Sequence, residues 1–346
     1  MSSNEVYDIA VIGAGPSGLF GTFYAGMRGL RTIVFEALPR PGGQLMALYP
    51  EKFIYDVAGY PAILARDLVQ QLWKQAVQFD ATFRFEEPVV RLQQLQPGHN
   101  ILTTPAGEYH AKTVLIAAGL GAFEPNRLPV PGAAEFENKG LHYTVRNKED
   151  FLGKRLLIVG GGDTALDWAL ELQQWARSIT IVHRFDYFEA HERSVEALQK
   201  SKIHVLTEHH VIAIEGNERL SEVTVAHVHT GTEHTLRVDE MLVFIGYKAN
   251  LNFLEGWGLE MSQRGIRINA EMATNLPGIY ATGDIAQPAE GPKMNLIANG
   301  FAQAAIAVNV ATKFIYPSAR VYPGHSSHKK GMRYAPTSEK QEASHE

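Results

Sequence analysis

The stretch Tyr7-Asp-Ile-Ala-Val-Ile-Gly13-Ala-Gly15-Pro-Ser17-Gly18 decides the fold. Tyr7 to Ile12 reads as a buried strand, and the glycines after it mark a tight turn. The next residues, LFGTFYAGMRG, carry apolar and small side chains at helical spacing. Arg31-Thr-Ile-Val-Phe35 reads as a second strand and ends at Glu36. A strand, a G-x-G-x-x-G turn, a helix, a strand and an acid about twenty residues on form a dinucleotide cradle. The glycines admit the close approach of a pyrophosphate, and the helix N-terminus offers unpaired N–H groups. Glu36 is placed to accept hydrogen bonds from an adenosine ribose. The candidate contacts are Gly13, Gly15, Ser17, Gly18 and Glu36.

The pattern recurs. Arg155-Leu-Leu-Ile-Val159 reads as a strand, Gly160-Gly-Gly162-Asp163-Thr164-Ala165 as the turn in its G-x-G-x-x-A form, and ALDWALELQQWA as the helix. Ser178-Ile-Thr-Ile-Val182 follows and ends at His183-Arg184, with no acid. This second cradle takes a different nucleotide or holds it differently. Its candidate contacts are Gly160, Gly162, Asp163, Thr164 and Arg184.

Chain order gives the domain plan. Thr113-Val-Leu-Ile-Ala-Ala-Gly119 is a strand ending in an Ala-Gly turn, and Met241-Leu-Val-Phe-Ile-Gly246 repeats that feature after the second cradle. Gly278-Ile-Tyr-Ala-Thr-Gly-Asp284 is a further strand, followed by the helical NLIANGFAQAAIAVN. An acid in that position suits the ribityl chain of a flavin. The expected fold is α/β, with two Rossmann-like nucleotide-binding domains, the second inserted in the first. An FAD domain spans 1–122 and 248–330, an NAD(P) domain spans 123–247, and 331–346 read as a disordered tail.

The bulk numbers narrow the function. A chain of 346 residues suits two domains of roughly 150 residues each. With 45% hydrophobic and 20% charged residues, the composition is that of a soluble globular protein. The net charge of −5 lacks the basic excess of a nucleic-acid binder. The start lacks a basic secretory leader, and the glycines after Ile12 break the apolar run that a membrane span needs. There are no cysteines, which removes disulfides, thiolate metal sites, cysteine nucleophiles and dithiol redox chemistry together. The cytoplasm is the default expectation. His209, His210, His227, His229 and His234 read as the polar face of a hairpin, with Val225, His227 and His229 sharing one side by period two. No metal site is expected.

GAGPSG, GGQL at 42–45, TVLIAAG, GGGDTA and YATGD together resemble the low-molecular-weight thioredoxin reductases over nearly the whole chain. That family carries a dithiol a few residues after the tyrosine preceding its second cradle. Here the segment is Tyr143-Thr-Val-Arg-Asn147, which has no thiol. The resemblance therefore implies a flavin that exchanges electrons directly with an outside partner. LYPEKFIYDVAGYP at 48–61, the cysteine-free GLHY segment and Pro-Gly-His-Ser-Ser at 323–327 are more closely similar to the thioredoxin-reductase-like ferredoxin–NADP+ reductases. This subfamily implies FAD as cofactor, NADP(H) or NAD(H) as substrate, and ferredoxin or flavodoxin as partner. It implies catalytic positions for Tyr49, stacked on one flavin face, and for His325, covering the other from the partner subunit of a homodimer. Ser326, Gln44, Val89, Phe123 and Asp284 match its remaining flavin contacts. The nicotinamide would have to displace whatever covers its face, which implies domain rotation or movement of the C-terminal extension.

The family segment after the second cradle reads H-R-R-x-x-F-R-A, and its arginines hold the 2′-phosphate of NADPH. Here it is His183-Arg-Phe-Asp-Tyr-Phe-Glu-Ala190, so Phe185 and Glu189 replace two arginines. That departure puts NADPH selectivity in doubt. Two other functions fit the same residues: an NADH-linked flavin reductase of quinones or other small acceptors, and a non-catalytic flavin-binding regulatory protein.

Overall fold

The computed structural model describes residues 5–322 and 324. His325, Ser326 and the expected tail 331–346 lie outside the described residues. The chain separates into two compact units. One comprises the described parts of Met1–Gly43, Val69–Gly119 and Leu254–Glu346, and the other Gln44–Leu68 with Leu120–Phe253. Residues 44–68, which the sequence places with the first domain, therefore group with the second unit. Tertiary contacts set this grouping. Tyr49 packs on the apolar cluster around Leu156, Ile158 and Trp168. Lys52 pairs with Asp167 at 2.6 Å, and the Lys148 ammonium lies 5.5 Å from the centre of the Phe53 ring.

The first unit is built on β1 (Val6–Ile12), α1 (Pro16–Met27), β2 (Thr32–Phe35), β3 (Thr82–Arg84), β4 (Arg91–Gln96), β5 (His99–Thr104) and β6 (Gly107–Ile116). The sheet order is β3-β2-β1-β6-β5-β4, with the strand Ile279–Ala281 also paired to β6. β1 runs parallel to both β2 and β6, while β4, β5 and β6 form an antiparallel meander. Ile9, Ala10 and Val11 are wholly buried, as a parallel strand covered on both faces requires. Gly18, Gly21 and Ala25 line the buried side of α1 at helical spacing. A Cβ on Gly21 would stand 2.7 Å from a Leu115 methyl, so this helix reaches the sheet only because its face is bare. α1 also packs against the helix Ile297–Ile315, with Phe20 and Phe301 rings 5.1 Å apart.

The second unit adds β7 (Leu141–His142), β8 (Arg155–Val159), α2 (Asp163–Leu172), β9 (Ser178–Val182), β10 (His204–Leu206), β11 (His209–Gly216), β12 (Leu220–His227), β13 (Glu233–Arg237) and β14 (Glu240–Val243). The parallel sheet has the order β7-β14-β8-β9-β10. Strands β11, β12 and β13 form a separate antiparallel sheet. Here the hairpin reading needs correction. Val223 and Val225 are fully buried, so the face shared with His227 is a core face. His229 lies beyond the end of β12 and pairs with Glu208 at 3.2 Å. Period two holds for Val223, Val225 and His227 but not for His229, and the face it marks is the inner one because the valines pack into the core.

β8 is tied to the strand entering β14 by Arg155 and Asp239. The guanidinium spans both carboxylate oxygens at 2.6 and 3.0 Å, and the Arg155 backbone N–H adds a third bond at 2.7 Å. These bonds hold the Asp239 carboxyl down at about 2. A depressed carboxyl stabilises the fold above its unfolded pKa of about 4, and the contribution disappears as pH falls through the folded value. Asp239→Asn should therefore lower the melting temperature at neutral pH, with the gap from wild type closing as pH falls toward the folded value. Thermal melts across that acid range check this, and a gap that stays constant with pH would contradict it.

Candidate functional site

The first cradle lies at the carboxyl ends of β1 and β6, between which the strand order reverses. Gly13 has φ of 105° and donates its N–H to Phe35 at 2.8 Å. A Cβ there would fall 2.5 Å from the Ala117 carbonyl oxygen, and one on Gly18 would fall 1.9 Å from the Gly13 oxygen. Gly15 is the N-cap of α1, makes no side-chain cap and faces open space. The first-turn N–H groups are thus left for an anion. Glu36 is buried, and its two carboxylate oxygens accept the N–H of Ala14 at 2.8 Å and of Leu38 at 3.0 Å. Burial pushes its pKa up, and the backbone donors pull it back. Each oxygen keeps a lone pair for a ribose hydroxyl.

Ser17 lies against Gly283, the residue before Asp284, beside this cradle. A Cβ on Gly283 or Gly300 would come within 2.7 or 2.1 Å of the Ser17 hydroxyl. The Gly283 N–H donates to Gln303 at 2.8 Å, which sets the start of the turn carrying Asp284. Burial raises the Asp284 carboxyl, and the nearby Lys293 ammonium opposes it. Gln303 and Lys293 escaped the sequence reading, because neither belongs to a motif and both act across distant segments. Val89 is buried as a core side chain. Gln44 begins a short helix, Gln44–Leu48, and Tyr49 follows it half-buried, both in the second unit. Phe123 pairs through its backbone with Ala249 in a two-stranded ribbon of that unit.

The second cradle repeats the backbone arrangement of the first. Gly160 has φ of 143° and donates to Val182 at 3.0 Å, and its Cβ would meet the Phe244 oxygen at 2.2 Å. Gly162 is the N-cap of α2, again without a side-chain cap. The divergence begins one residue after the first glycine. Gly161 lies against the His183 ring, where a Cβ would sit 2.3 Å from the imidazole. His183 is buried, its pKa is lowered by that burial, and its Nε2 has no partner among the described residues. Phe188 stacks on it with ring centres 5.5 Å apart. The loop Glu189–His191 is held at the turn: Glu189 donates to the Gly161 oxygen at 2.9 Å, and His191 donates to the Asp163 carboxylate at 2.8 Å. Asp163 thus fixes this loop, while Thr164 stands in the first turn of α2. Arg184 is exposed, with its guanidinium 4.6 Å from the centre of the Phe185 ring.

Tyr143 to Asn147 is occupied by packing residues. The Tyr143 hydroxyl accepts the Leu128 N–H at 3.1 Å, Val145 is fully buried, and Asn147 caps the short helix Lys148–Phe151. The segment has no thiol, so it cannot act as a dithiol relay.

Two cradles, each where the connections of neighbouring parallel strands diverge, are the arrangement of a pyridine-nucleotide oxidoreductase. The donor set fits a flavin nucleotide and a nicotinamide nucleotide: bare glycines at both turns, a buried acid beside one, and an imidazole nitrogen without a partner among the described residues beside the other. The chain belongs to the pyridine nucleotide-disulphide oxidoreductase family, whose pattern matches residues 7–310. It is 48% identical to a ferredoxin–NADP reductase of Sulfurisphaera tokodaii over 323 residues, covering 93% of this chain and 97% of that protein. It is 46% identical to a ferredoxin–NADP reductase of Thermus thermophilus over 326 residues, covering 93% and 97%. Among solved structures, the thioredoxin reductase of Lactococcus lactis matches with TM-score 0.78 and 25% identity, over 90% of this chain and 99% of that one. No helix among the described residues is long and apolar enough to cross a membrane.

Gly161→Ala tests the second cradle. Overpacking of this kind costs about 1–3 kcal/mol, so KM for the nicotinamide nucleotide should rise by roughly tenfold. The flavin-to-protein ratio should stay at the wild-type value. Steady-state kinetics with flavin absorbance check both, and an unchanged KM would show that the His183 ring yields without consequence.

Proposed function

We propose that this chain is an FAD-containing reductase that passes electrons between a nicotinamide nucleotide and ferredoxin or flavodoxin. The observation that carries the reading is the thiol-free segment around the buried Val145 in a chain with two glycine-turn cradles. Relatives at 48% and 46% identity, named as ferredoxin–NADP reductases, support it. Bound FAD would supply two-electron exchange with the nicotinamide and one-electron exchange with the protein partner. Gly13, Gly15, Ser17 and Gly18 would hold its pyrophosphate and Glu36 its adenosine ribose. Asp284 would hold the ribityl chain. Gln44, Val89, Phe123 and Ser326 would contact the flavin half. Tyr49 and His325 would cover the ring faces, His325 from a homodimer partner. Gly160, Gly162, Thr164 and Arg184 would hold the nicotinamide nucleotide, with Asp163 steadying the loop across it. The cytoplasm is the proposed compartment.

Flavin released by heat should run as FAD on chromatography, and anaerobic NADPH or NADH should bleach the bound flavin. Turnover with ferredoxin or flavodoxin should exceed turnover with quinones. Faster quinone reduction would favour the small-acceptor alternative, and a flavin left oxidised by both nucleotides would make the chain a binding protein. Truncation before Tyr322 should change the flavin spectrum and partner reduction, and unchanged values would reduce the extension to a passive tail.

A second proposal concerns the nicotinamide. Phe185 stacks on Tyr187 with ring centres 5.5 Å apart and an interplanar angle of 9°, and Glu189 is anchored at the turn by its backbone. Neither side chain can grip a 2′-phosphate as a guanidinium does. A charge-assisted hydrogen bond contributes about 1.5–3 kcal/mol, so losing two should weaken the preference for NADPH by tenfold or more. We expect kcat/KM values for NADH and NADPH at one ionic strength to show weak selectivity or NADH preference. Phe185→Arg with Glu189→Arg should pull the ratio back toward NADPH. Arg193, in the helix Glu192–Lys200, is the next arginine after Arg184 and the candidate to compensate, so a strong NADPH preference that survives Arg193→Ala would defeat this proposal.

A further inference from the structure

Lys293 lies in the segment before the helix Ile297–Ile315, outside every motif of the chain. Its side chain is half-buried, and its Nζ donates to the Asp284 carbonyl at 2.7 Å and to the Arg264 carbonyl. The third ammonium N–H has no partner among the described residues. Arg264 occupies the turn between the strands Met261–Ser262 and Gly265–Ile268. The latter strand runs parallel to Ala286–Pro288, which directly follows the Asp284 turn. Gly265 presses against that turn so closely that a Cβ would fall 2.1 Å from the Ile285 oxygen and 3.5 Å from the Lys293 Nζ. One ammonium therefore fastens three segments together at Asp284.

We propose that Lys293 is the positioning residue for Asp284: it ties the Asp284 turn to its neighbours and supplies the positive charge that keeps this carboxylate a hydrogen-bond acceptor for the flavin's ribityl chain. The inference rests on the FAD reading above. Such a tether is physically required. Half-burial disfavours the charge on the carboxylate and on the ammonium alike, and each offsets the loss for the other. Arg264 is the other cation acting on Lys293. Gln303 and Ser17, which also pack at the turn, are uncharged.

The test is the rate of flavin release from the holoprotein after dilution, read by fluorescence from the acidic range up to neutral pH. An ionised Asp284 retains flavin and a protonated one does not, so release should accelerate about tenfold or more on the acid side. Lys293→Met should move the midpoint of that acceleration upward by about one pH unit or more, because an opposite charge has been removed. Lys293→Gln keeps a donor for the carbonyls without the charge and should move it likewise, while Lys293→Arg should leave it near wild type. A role confined to holding the loop would speed release equally at every pH with no change in midpoint, and that outcome overturns the proposal. Asp284→Asn distinguishes the two layers of argument. If it releases flavin as slowly as wild type at neutral pH, the ribityl assignment fails and this inference with it. If it releases flavin fast while the Lys293→Met profile matches wild type, this inference alone fails.

Discussion

A backbone carbonyl that stands where a glycine's Cβ would have to go constrains both units. At Gly13 it belongs to Ala117 and at Gly160 to Phe244, each in the residue run that leaves the neighbouring strand. In both places the glycine carries positive φ and donates its N–H to the strand on its other side. The turn is therefore clamped between two strands that diverge from it. Divergence of the flanking connections opens the crevice, and the bare glycine lets the chain turn there without filling it. A single methyl at either position would force the strand ends apart and close the place where a pyrophosphate approaches.

From that shared frame the two sites separate by one residue pair each. In the first unit Ala14 offers its N–H to Glu36, so the buried carboxylate is held by backbone at 2.8 Å and presents charge to whatever lies in the crevice. In the second the corresponding pair is Gly161 and His183, and the contact is a ring laid on bare backbone. Burial lowers the pKa of that imidazole, and the charge at this strand end is the exposed Arg184 guanidinium next to it in the chain. An acid selects for ribose hydroxyls and repels phosphate there, whereas an uncharged ring tolerates either. The chemical difference between the cradles thus lies in the strand-end residues, Glu36 in one and His183 with Arg184 in the other, and the bare Gly161 makes room for the imidazole.

Much of this was legible in the chain. The two cradles, the parallel strands and the acid Glu36 follow from local patterns whose spacing is dictated by the turn itself. What escaped was held by contacts between distant segments. Nothing in residues 44–68 announces that Lys52 pairs with Asp167 or that Tyr49 rests on the core beside Trp168, so their grouping with the second unit was invisible. Asp163 reads as a candidate nucleotide contact because it follows the glycines, but the turn does not announce that its carboxylate also receives the His191 N–H from 28 residues away. Gln303 and Lys293 are ordinary residues in sequence, and only the folded turn at Gly283 and Asp284 gives them a partner.

The segment Tyr143 to Asn147 shows how a redox position can be vacated without leaving a defect. Removing two thiols from a folded core would leave a void and unpaired polar groups, which cost stability unless refilled. Here the refill is complete. Val145 is wholly inside the apolar cluster, the Tyr143 ring lies 4.8 Å from the Arg127 guanidinium, and its hydroxyl satisfies the Leu128 N–H. The Tyr143 carbonyl in turn accepts from the Tyr247 hydroxyl. Just upstream, His142 and Arg219 share the buried Glu240 carboxylate at 2.8 and 2.6 Å. These contacts hold Tyr143 and Val145, while Arg146 and Asn147 stay exposed. With no cysteine in the sequence, an electron entering the proposed enzyme by way of the nucleotide cradles would have to leave from the bound cofactor itself.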